Sequence, residues 1–322
     1  MFARSTLWIC FLTTLLSRAN AATLDARPQP RSTYPFDHII AFGDEFSDNG
    51  NGSYAHGISG SPLTVYGFGT WTNGPVAVSY LSNLLSVYLR DYAFGGCCGG
   101  GSFGATLDTT YTPSPAKSPS LVTQIANYTT GELPNIGRAL EFIWVGQNDL
   151  SEHTDAFWLG DPKNDQFASN FSSRIADSVD TLLKAGAPYV MVANLHPKHL
   201  SPLAHTFLCG TSSKCISTWG EIIVNANAAL ETSMKQFGSK VIYYDVYGFM
   251  TALIENATEK GFTKALTSFC DGDGDANWDS CMEHGQGGDY FWMNWEQPTT
   301  RVHQVSGTFL YLLHDYREFQ LT

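Results

Sequence analysis

Basic residues are scarce in this chain of 322 residues, which has 18 lysines and arginines against 30 aspartates and glutamates and a net charge of −12. Nucleic-acid binding depends on basic patches that neutralise phosphates, so this balance argues against a nucleic-acid partner. After the N-terminus the sequence also lacks a run of about 20 apolar residues, the length that a transmembrane helix needs. Internal repeats, low-complexity tracts and convincing linkers are missing as well, which favours one large domain.

The N-terminal segment has the composition of a secretory signal. It combines a basic start, an apolar run and small residues at a cleavage position. A membrane anchor is the alternative, but the apolar run is shorter than the ~20 residues of a span. We therefore expect a protein that is secreted or held in the secretory-pathway lumen. The predicted division is a signal peptide at 1–21, an N-terminal extension at 22–34 and a single domain at 35–322.

Cysteine is limited to seven residues, one of which lies in the predicted signal. In an oxidising compartment, cysteines that are close in sequence are expected to close loops. The predicted disulfide pairs are Cys209/Cys215 and Cys270/Cys281. The adjacent residues Cys97 and Cys98 either form a vicinal disulfide, stay free or pair elsewhere.

Four Asn-x-Ser/Thr sequons permit N-glycosylation in a eukaryotic host. Three of them are predicted acceptors: Asn127, Asn170 and Asn256. The fourth, Asn51, lies at the end of a glycine turn with a predicted functional role, so a glycan is least expected there.

Apolar runs alternate with amphipathic segments along the chain. Predicted strands lie at 36–42, 139–145, 189–192 and 241–246, and apolar residues spaced by three or four predict helices at 76–88, 167–183 and 223–237. Short connections between strand and helix imply a mostly parallel sheet between layers of helices. The pattern thus predicts an α/β protein built as a three-layer sandwich.

A sharp glycine turn follows the first predicted strand. Residues 43–51 read GDEFSDNGN, and a strand–turn–helix junction of this kind displays a side chain above the strand ends. The segment resembles the first block of the GDSL, or SGNH, esterase and lipase family, which reads Gly-Asp-Ser-x-Ser-Asp-x-Gly-Asn. Every motif position matches except the nucleophile, where this chain has Glu45.

Two further blocks extend the resemblance. Residues 91–96 read DYAFGG, similar to the family pattern Asn-Tyr/Phe-Ala-x-Gly-Gly, in which a glycine amide serves the oxyanion hole. The resemblance assigns that role to Gly96, with Gly95 as the alternative. Residues 146–149 read GQND and match the block Gly-x-Asn-Asp, which makes the Asn148 side chain a second oxyanion donor. The resemblance implies the flavodoxin-like SGNH hydrolase fold.

The C-terminal block departs from the family at two more positions. Residues 298–303, PTTRVH, resemble the start of the last helix in secreted fungal members. In that register the catalytic His falls at Gln297 and the catalytic Asp at Asn294. Ester hydrolysis by this route needs a hydroxyl nucleophile, a base and a group that orients the base. With Glu45 in place of the serine, all three triad positions are replaced, and we expect no acyl-enzyme catalysis.

Glu45 is therefore expected to have another role. One hypothesis places its carboxylate in the former oxyanion hole, with the amides of Asn294 and Gln297 completing a hydrogen-bonded network. A second hypothesis is that the neighbouring Asp44 raises the pKa of Glu45, so that Glu45 acts as a general acid. The pocket is expected to be lined by aromatic side chains: Phe46, Trp292 and Trp295.

Metal-binding patterns are weak. The acidic loop at 271–279 resembles the start of a calcium loop, but Ala276 stands where the turn needs glycine. The loop is predicted to be an acidic surface loop closed by a disulfide, and no metal or cofactor is expected. Five histidines are expected to be solvated or capping, without metal-binding spacing: His153, His196, His199, His205 and His284.

Three interpretations of function remain open. The first is a non-hydrolytic protein that binds a small organic molecule, an ester-like ligand or a partner in the former ester cleft. The second is a repurposed acid/base catalyst, such as a cyclase or isomerase of secondary metabolism. The third is a residual acyl esterase. The oligomeric state is left open.

Overall fold

The computed structural model describes residues 35–52, 70–96, 104–113, 118–131, 136–156, 161–270, 288–308 and 310. Its sheet contains five strands: β1 His38–Gly43, β2 Tyr88–Asp91, β3 Ala139–Trp144, β4 Tyr189–Ala193 and β5 Val241–Tyr244. All neighbouring strands are parallel, in the order β2-β1-β3-β4-β5. The predicted parallel α/β architecture is confirmed.

Helices connect the strands. The α-helices are α1 Ala77–Leu85, α2 Leu121–Thr130, α3 Gln147–His153, α4 Pro162–Ala185, α5 Ser213–Met234, α6 Val246–Glu255 and α7 at 300–308. Short 3-10 segments lie at Ile136–Arg138, Lys198–Leu200 and Lys235–Lys240, and a π-helix lies at Leu203–Leu208. Among the described residues, no helix combines the length and the hydropathy that crossing a membrane requires.

The core has two halves, one on each face of the sheet. Ile39 and Ala41 of β1 pack with α1, α6 and α7 on one face. Ile40 and Phe42 pack with α2, α4 and α5 on the other face. Side chains of a strand alternate between the faces, so a strand covered on both sides is apolar throughout. This arrangement is the predicted three-layer sandwich.

The first helix is shorter than predicted. The apolar spacing from Val76 to Tyr88 predicted one helix, but α1 ends at Leu85, and Ser86 adopts a left-handed conformation with φ of 54°. Tyr88 instead begins β2 and is 68% exposed. The buried side of α1 is formed by residues one position along, including Leu81. A run of apolar residues at a spacing of four therefore marked the wrong side of this helix.

The predicted disulfide between Cys209 and Cys215 is confirmed, with 5.4 Å between the two Cα atoms. Cys270 also takes part in a disulfide, but its predicted partner Cys281 lies outside the described residues. The signal peptide, the N-terminal extension, the cysteine pair at 97–98 and the acidic loop at 271–279 lie outside them too.

The sequons differ in their surroundings. Asn127 is exposed on α2, and Asn170 and Asn256 are half-buried. The Asn51 side-chain amide donates to the carbonyl oxygens of Asp91 (3.1 Å) and Ala93 (3.0 Å). A glycan on Asn51 would replace one of those hydrogens, which supports the expectation that this sequon is not used. Glycosylation of the other three stays a prediction.

Candidate functional site

The turn after β1 is held tightly against the end of β3. At Gly43, φ is +155° and a Cβ would overlap the carbonyl oxygen of Trp144, so only glycine fits. The side-chain amide of Gln124 makes two hydrogen bonds with Gly43, one to its N–H and one to its carbonyl oxygen, both 2.9 Å. The Phe94 N–H donates to the same carbonyl at 2.9 Å. These contacts fix the residues that follow Gly43 at the carboxyl edge of the sheet.

Asp48 connects this turn to the glycine pair. Its fully buried carboxylate accepts four backbone N–H groups, from Gly50 (2.7 Å), Asn51 (2.6 Å), Gly52 (2.8 Å) and Gly95 (2.6 Å). The Gly95 N–H is therefore engaged in holding the loop, which leaves Gly96 as the candidate for the oxyanion hole.

Glu45 lies beside both predicted oxyanion donors. The side chain of Glu45 is 7% exposed, and its Oε2 accepts a hydrogen bond of 3.2 Å from Asn148 Nδ2. Asn148 Nδ2 also donates to the Ala105 carbonyl at 3.0 Å. A Cβ on Gly104 would overlap Glu45 Oε2 and lie 2.9 Å from the Gly96 nitrogen. Glu45 and Gly96 thus flank Gly104, a residue that was not among the predicted site residues.

Burial dominates the electrostatics of Glu45 and Asp44. Burial and then the charge of Glu296 raise the pKa of Glu45 from 4.5 to about 7, against the opposing hydrogen bond from Asn148. Burial and then the charge of Glu45 raise the pKa of Asp44 well above its usual range. Asp44 Oδ1 accepts the Phe46 N–H at 3.2 Å, whereas Oδ2 has no hydrogen-bond partner among the described residues.

A buried ion pair, Lys198 with Glu296, belongs to the same site. Lys198 Nζ lies 2.7 Å from Glu296 Oε2 and donates to Ser151 Oγ (2.9 Å) and to the Gln147 carbonyl (3.3 Å). The side chains are 2% and 18% exposed, respectively. Neither residue was predicted from the sequence to lie in the site. The available signal was the place of Lys198 just after β4, because ligand sites of parallel sheets lie beyond the strand carboxyl ends.

The predicted network of Asn294 and Gln297 around Glu45 is not formed. Asn294 Oδ1 accepts the backbone N–H groups of Glu296 (3.0 Å) and Gln297 (2.8 Å), and its Nδ2 donates to the Trp71 carbonyl at 3.4 Å. The Gln297 side chain is 2% exposed, and its amide has no hydrogen-bond partner in the described part of the chain. Asn294 stabilises a local turn, so its side chain is committed there, and the side-chain donor that binds Glu45 in the described part of the chain is Asn148.

The predicted aromatic lining is only partly present. Trp292 is fully buried and packs on Phe291 with 4.9 Å between ring centroids. Phe46 is fully buried in the same half of the core. Neither side chain offers surface to a ligand. Trp295 differs, because it is 48% exposed and meets Phe207 edge-to-face with 5.8 Å between centroids.

The expectation of solvated or capping histidines is wrong for His196 and His199. His196 is fully buried against Phe46 with 4.4 Å between ring centroids, and burial lowers its pKa well below the usual value. His199 is 8% exposed, stacks on Tyr247, and its pKa is lowered by burial to about 4. By contrast, His153 is hydrogen-bonded to a threonine hydroxyl at 2.9 Å. His284 lies outside the described residues.

Metal ligands are not grouped in the part of the chain that the structure describes. No set of three or more His, Cys, Asp or Glu residues there is arranged to hold an ion. Asp149, which follows Asn148, is occupied structurally: it accepts the Leu107 N–H at 3.0 Å and the Thr112 hydroxyl. Burial raises the pKa of Asp149 to about 6.

A parallel sheet with a glycine turn, a glycine pair and an Asn-Asp pair at its carboxyl edge is the arrangement of an SGNH-type α/β fold. The GDSL-like Lipase/Acylhydrolase family matches residues 39–280, and the chain belongs to this family.

Known proteins with related sequences carry the same family name. A GDSL esterase/lipase of Arabidopsis thaliana is 22% identical over 293 residues, covering 76% of each chain. A second one from the same plant is 23% identical over 282 residues, covering 75% of this chain and 79% of the relative.

Two solved structures are also similar. An extracellular lipase from Streptomyces rimosus has 16% identity and a TM-score of 0.44, and covers 85% of this chain and 97% of its own. Phospholipase A1 from Streptomyces albidoflavus NA297 has 14% identity and a TM-score of 0.46, and covers 86% and 98%.

Proposed function

We propose that this member of the GDSL family does not hydrolyse esters through a Ser-Asp-His triad, and that it binds a small organic ligand in the former ester cleft. One observation carries the proposal: the carboxyl group of Glu45 accepts the hydrogen bond of Asn148 Nδ2 at 3.2 Å. The family resemblance makes that amide a donor to the oxyanion of the reaction. A carboxylate held there competes with any tetrahedral intermediate for the donor and repels its negative charge.

The residues at the other two triad positions, Asn294 and Gln297, provide no general base. A triad needs an imidazole that accepts and returns a proton near neutral pH. The Gln297 amide does neither, and the Asn294 oxygen is bound to two backbone N–H groups. Ser47 is the hydroxyl residue of the motif, but its side chain is fully buried. It is therefore not accessible to an ester as a replacement nucleophile. The contacts of Glu45 and Asn294 and the chemistry of the Gln297 amide therefore all support the proposed loss of the triad.

Ester hydrolysis is the direct test. We expect p-nitrophenyl acetate and butyrate to be hydrolysed by the wild-type protein no faster than by a Glu45→Ala variant or by the heat-denatured protein. A rate clearly above both, abolished by a fluorophosphonate that labels a serine, would overturn the proposal. The Glu221→Gln variant serves as the matched control, since it removes an exposed carboxylate on α5, a helix that carries none of the motif blocks.

A second candidate function is acid/base catalysis by Glu45. The observation in its favour is the pKa of about 7, at which a carboxyl group is both a usable acid and a usable base near neutral pH. A base-promoted elimination on a nitrobenzisoxazole tests this without knowledge of the natural substrate. In that reaction the carboxylate takes the C–H proton, the N–O bond breaks, and a nitrile and a phenoxide form.

The second candidate predicts elimination that depends on Glu45 and increases with pH around about 7. The Glu45→Gln variant is expected to lose it, and Glu221→Gln to retain it. Equal rates for wild type and Glu45→Gln would count against catalysis and leave the binding proposal in place.

We also propose that the protein is secreted after removal of residues 1–21. The predicted signal sequence supports this, as does the Cys209–Cys215 disulfide, which is typical of oxidising compartments. Expression in a eukaryotic host followed by N-terminal sequencing of the protein in the medium is the test. Protein retained in the cytosol with its first residues intact would contradict the proposal.

A further inference from the structure

We propose that a glycan on Asn256 folds back into a groove beside the end of α6, so that its first sugars pack on the protein surface and stabilise the fold. The groove contains none of the motif blocks, and the inference is independent of what the former ester cleft binds. It rests on the proposed secretion of the chain, since N-glycans are added in the secretory pathway.

The groove has a volume of about 540 Å³ and is lined by residues 254–259 and 262–266. Its floor is apolar, because Phe262 is buried, and Ile254 and Leu266 are partly buried against the same half of the core. The volume lies within the range of small-molecule sites, about 300 to 1,000 Å³. The groove is therefore large enough for a compact organic group of the size of a sugar.

The sequon lies in the wall of this groove. Asn256 and Thr258 both line it, and Thr258 is exposed. Asn256 follows the last residue of α6, and its Nδ2 donates to the Ala252 carbonyl at 2.8 Å. A side-chain amide has two hydrogens, so a second one is left for the bond to a sugar. At Asn51, by contrast, both hydrogens are engaged.

The surroundings of the groove match the chemistry of the sugar. N-acetylglucosamine, which begins an N-glycan, has apolar C–H faces, an acetyl methyl group and several hydroxyl groups. Its apolar parts fit the floor of the groove. Four exposed polar residues surround the floor and offer both acceptors and donors to the hydroxyl groups: Glu255, Glu259, Thr263 and Lys264.

The covalent link decides between a glycan and a free ligand. A free molecule loses translational and rotational freedom when it enters an open groove. A glycan on Asn256 is attached to the wall of the groove, so it is present there at a high effective concentration. Weak contacts between sugar and protein are then sufficient to hold it, and the glycan excludes other occupants.

The rate of deglycosylation is the first test. The wild-type protein is secreted from a eukaryotic host, and mass spectrometry of its peptides measures the glycans on Asn256 and on Asn127, which is exposed on α2. Peptide N-glycosidase F is then applied to the native protein. We expect release from Asn256 at least about tenfold more slowly than from Asn127, because the sugars must first leave the groove. After denaturation the two rates should be equal.

Substitutions in the groove test whether the contact stabilises the fold. Ala265 is exposed and lines the groove, so the Ala265→Arg side chain takes the space of the sugars without entering the core. Thr258→Ala removes the sequon and keeps Asn256, and Thr258→Ser is its matched control because it keeps the sequon. Ala265→Arg and Thr258→Ala are each expected to lower Tm by about 3 °C, and Thr258→Ser by less than about 1 °C.

The double variant shows whether both changes act on the same contact. Adding Ala265→Arg to Thr258→Ala should lower Tm no further, because no glycan is left to displace. In the glycosylated single variant Ala265→Arg, native release from Asn256 should become as fast as release from Asn127.

The inference would be overturned by equal native release from the two wild-type sites, by strictly additive Tm losses, or by a secreted protein without a glycan on Asn256. None of these results bears on ester hydrolysis, which is measured separately. Secreted protein with Asn256 unmodified overturns this inference alone, whereas retention in the cytosol overturns the proposed secretion.

Discussion

Two carboxylates three residues apart on the same turn, Asp48 and Glu45, differ in how they are bound. Asp48 accepts N–H groups from the backbone of four other residues, whereas Glu45 accepts a side-chain N–H from Asn148 and a backbone hydrogen bond from its own residue. Burial raises the pKa of both. The difference indicates that Asp48 is part of the scaffold and that Glu45 keeps bonding capacity for a ligand or a proton.

The largest effect is expected for Asp48→Asn. An amide nitrogen in this position would face two N–H donors, and the remaining bonds would lose their charge assistance. We expect a loss of about 3 kcal/mol or more in the free energy of unfolding, measured by urea denaturation. If Asp48 is scaffold and Glu45 is not, Glu45→Gln changes stability by less than about 1 kcal/mol at about pH 5. Similar losses in the free energy of unfolding for the two variants would contradict the assignment of Asp48, and not Glu45, to the scaffold.

The second prediction concerns the pH dependence of Glu45. Because burial raises its pKa to about 7, the folded state binds the proton more tightly than the unfolded chain, whose pKa is 4.5. This contribution to stability is complete below pH 4.5 and is lost as the pH rises through 7. The stability of Glu45→Gln relative to wild type should therefore increase by about 2 kcal/mol between about pH 5 and pH 7.

Denaturation of both proteins at several pH values measures this difference. The exposed Glu221→Gln variant should show a flat difference from wild type over the same range. A flat difference for Glu45→Gln as well would mean that Glu45 is solvated like a surface carboxylate, and the contrast with Asp48 would then rest on bonding alone.

The smallest effect is expected from a coupling between Gly104 and Glu45. A Cβ on Gly104 would overlap Glu45 Oε2, with the Gly96 nitrogen at 2.9 Å as a second obstacle. Gly104→Ala should destabilise the wild type by about 1 to 3 kcal/mol. In a Glu45→Ala background the loss should be smaller by about 1 kcal/mol, since the nearest obstacle is gone.

A double-mutant cycle with thermal or urea unfolding measures this coupling. Strictly additive losses would show that Glu45 moves away from Gly104 at no cost, and that the position of its carboxylate is not fixed by the site.

The sequence was a good guide where local chemistry decides the structure. Apolar runs located β1, β3, β4 and β5, and β1 and β3 are covered on both faces; β2, which is partly exposed, was missed. The glycine turn was readable because the close approach of Gly43 to Trp144 admits no side chain. The end of α1 was not readable, since Ser86 in a left-handed conformation carries no glycine or asparagine signal.

The site was predictable only in part, because local motifs locate some of its residues and contacts between distant residues locate the others. Glu45, Gly96 and Asn148 were placed together because motif blocks follow the carboxyl ends of neighbouring parallel strands. The Lys198–Glu296 pair joins residues 98 positions apart in the numbering, and the place of Lys198 after β4 gave no indication of its partner. Asn294 was assigned to Glu45 although its nearest N–H groups are those of its own turn, as is common for asparagine.

The Asp48 carboxylate has a consequence for how this cleft tolerates change over evolution. All four of its partners are main-chain N–H groups, and every non-proline residue carries such a group. The loop that bears Gly95 is therefore held in place whatever side chain stands at position 45. In a chain with this loop structure, the residue at position 45 can be substituted while the surrounding backbone keeps its conformation. A single substitution at this position can therefore change the chemistry of the site.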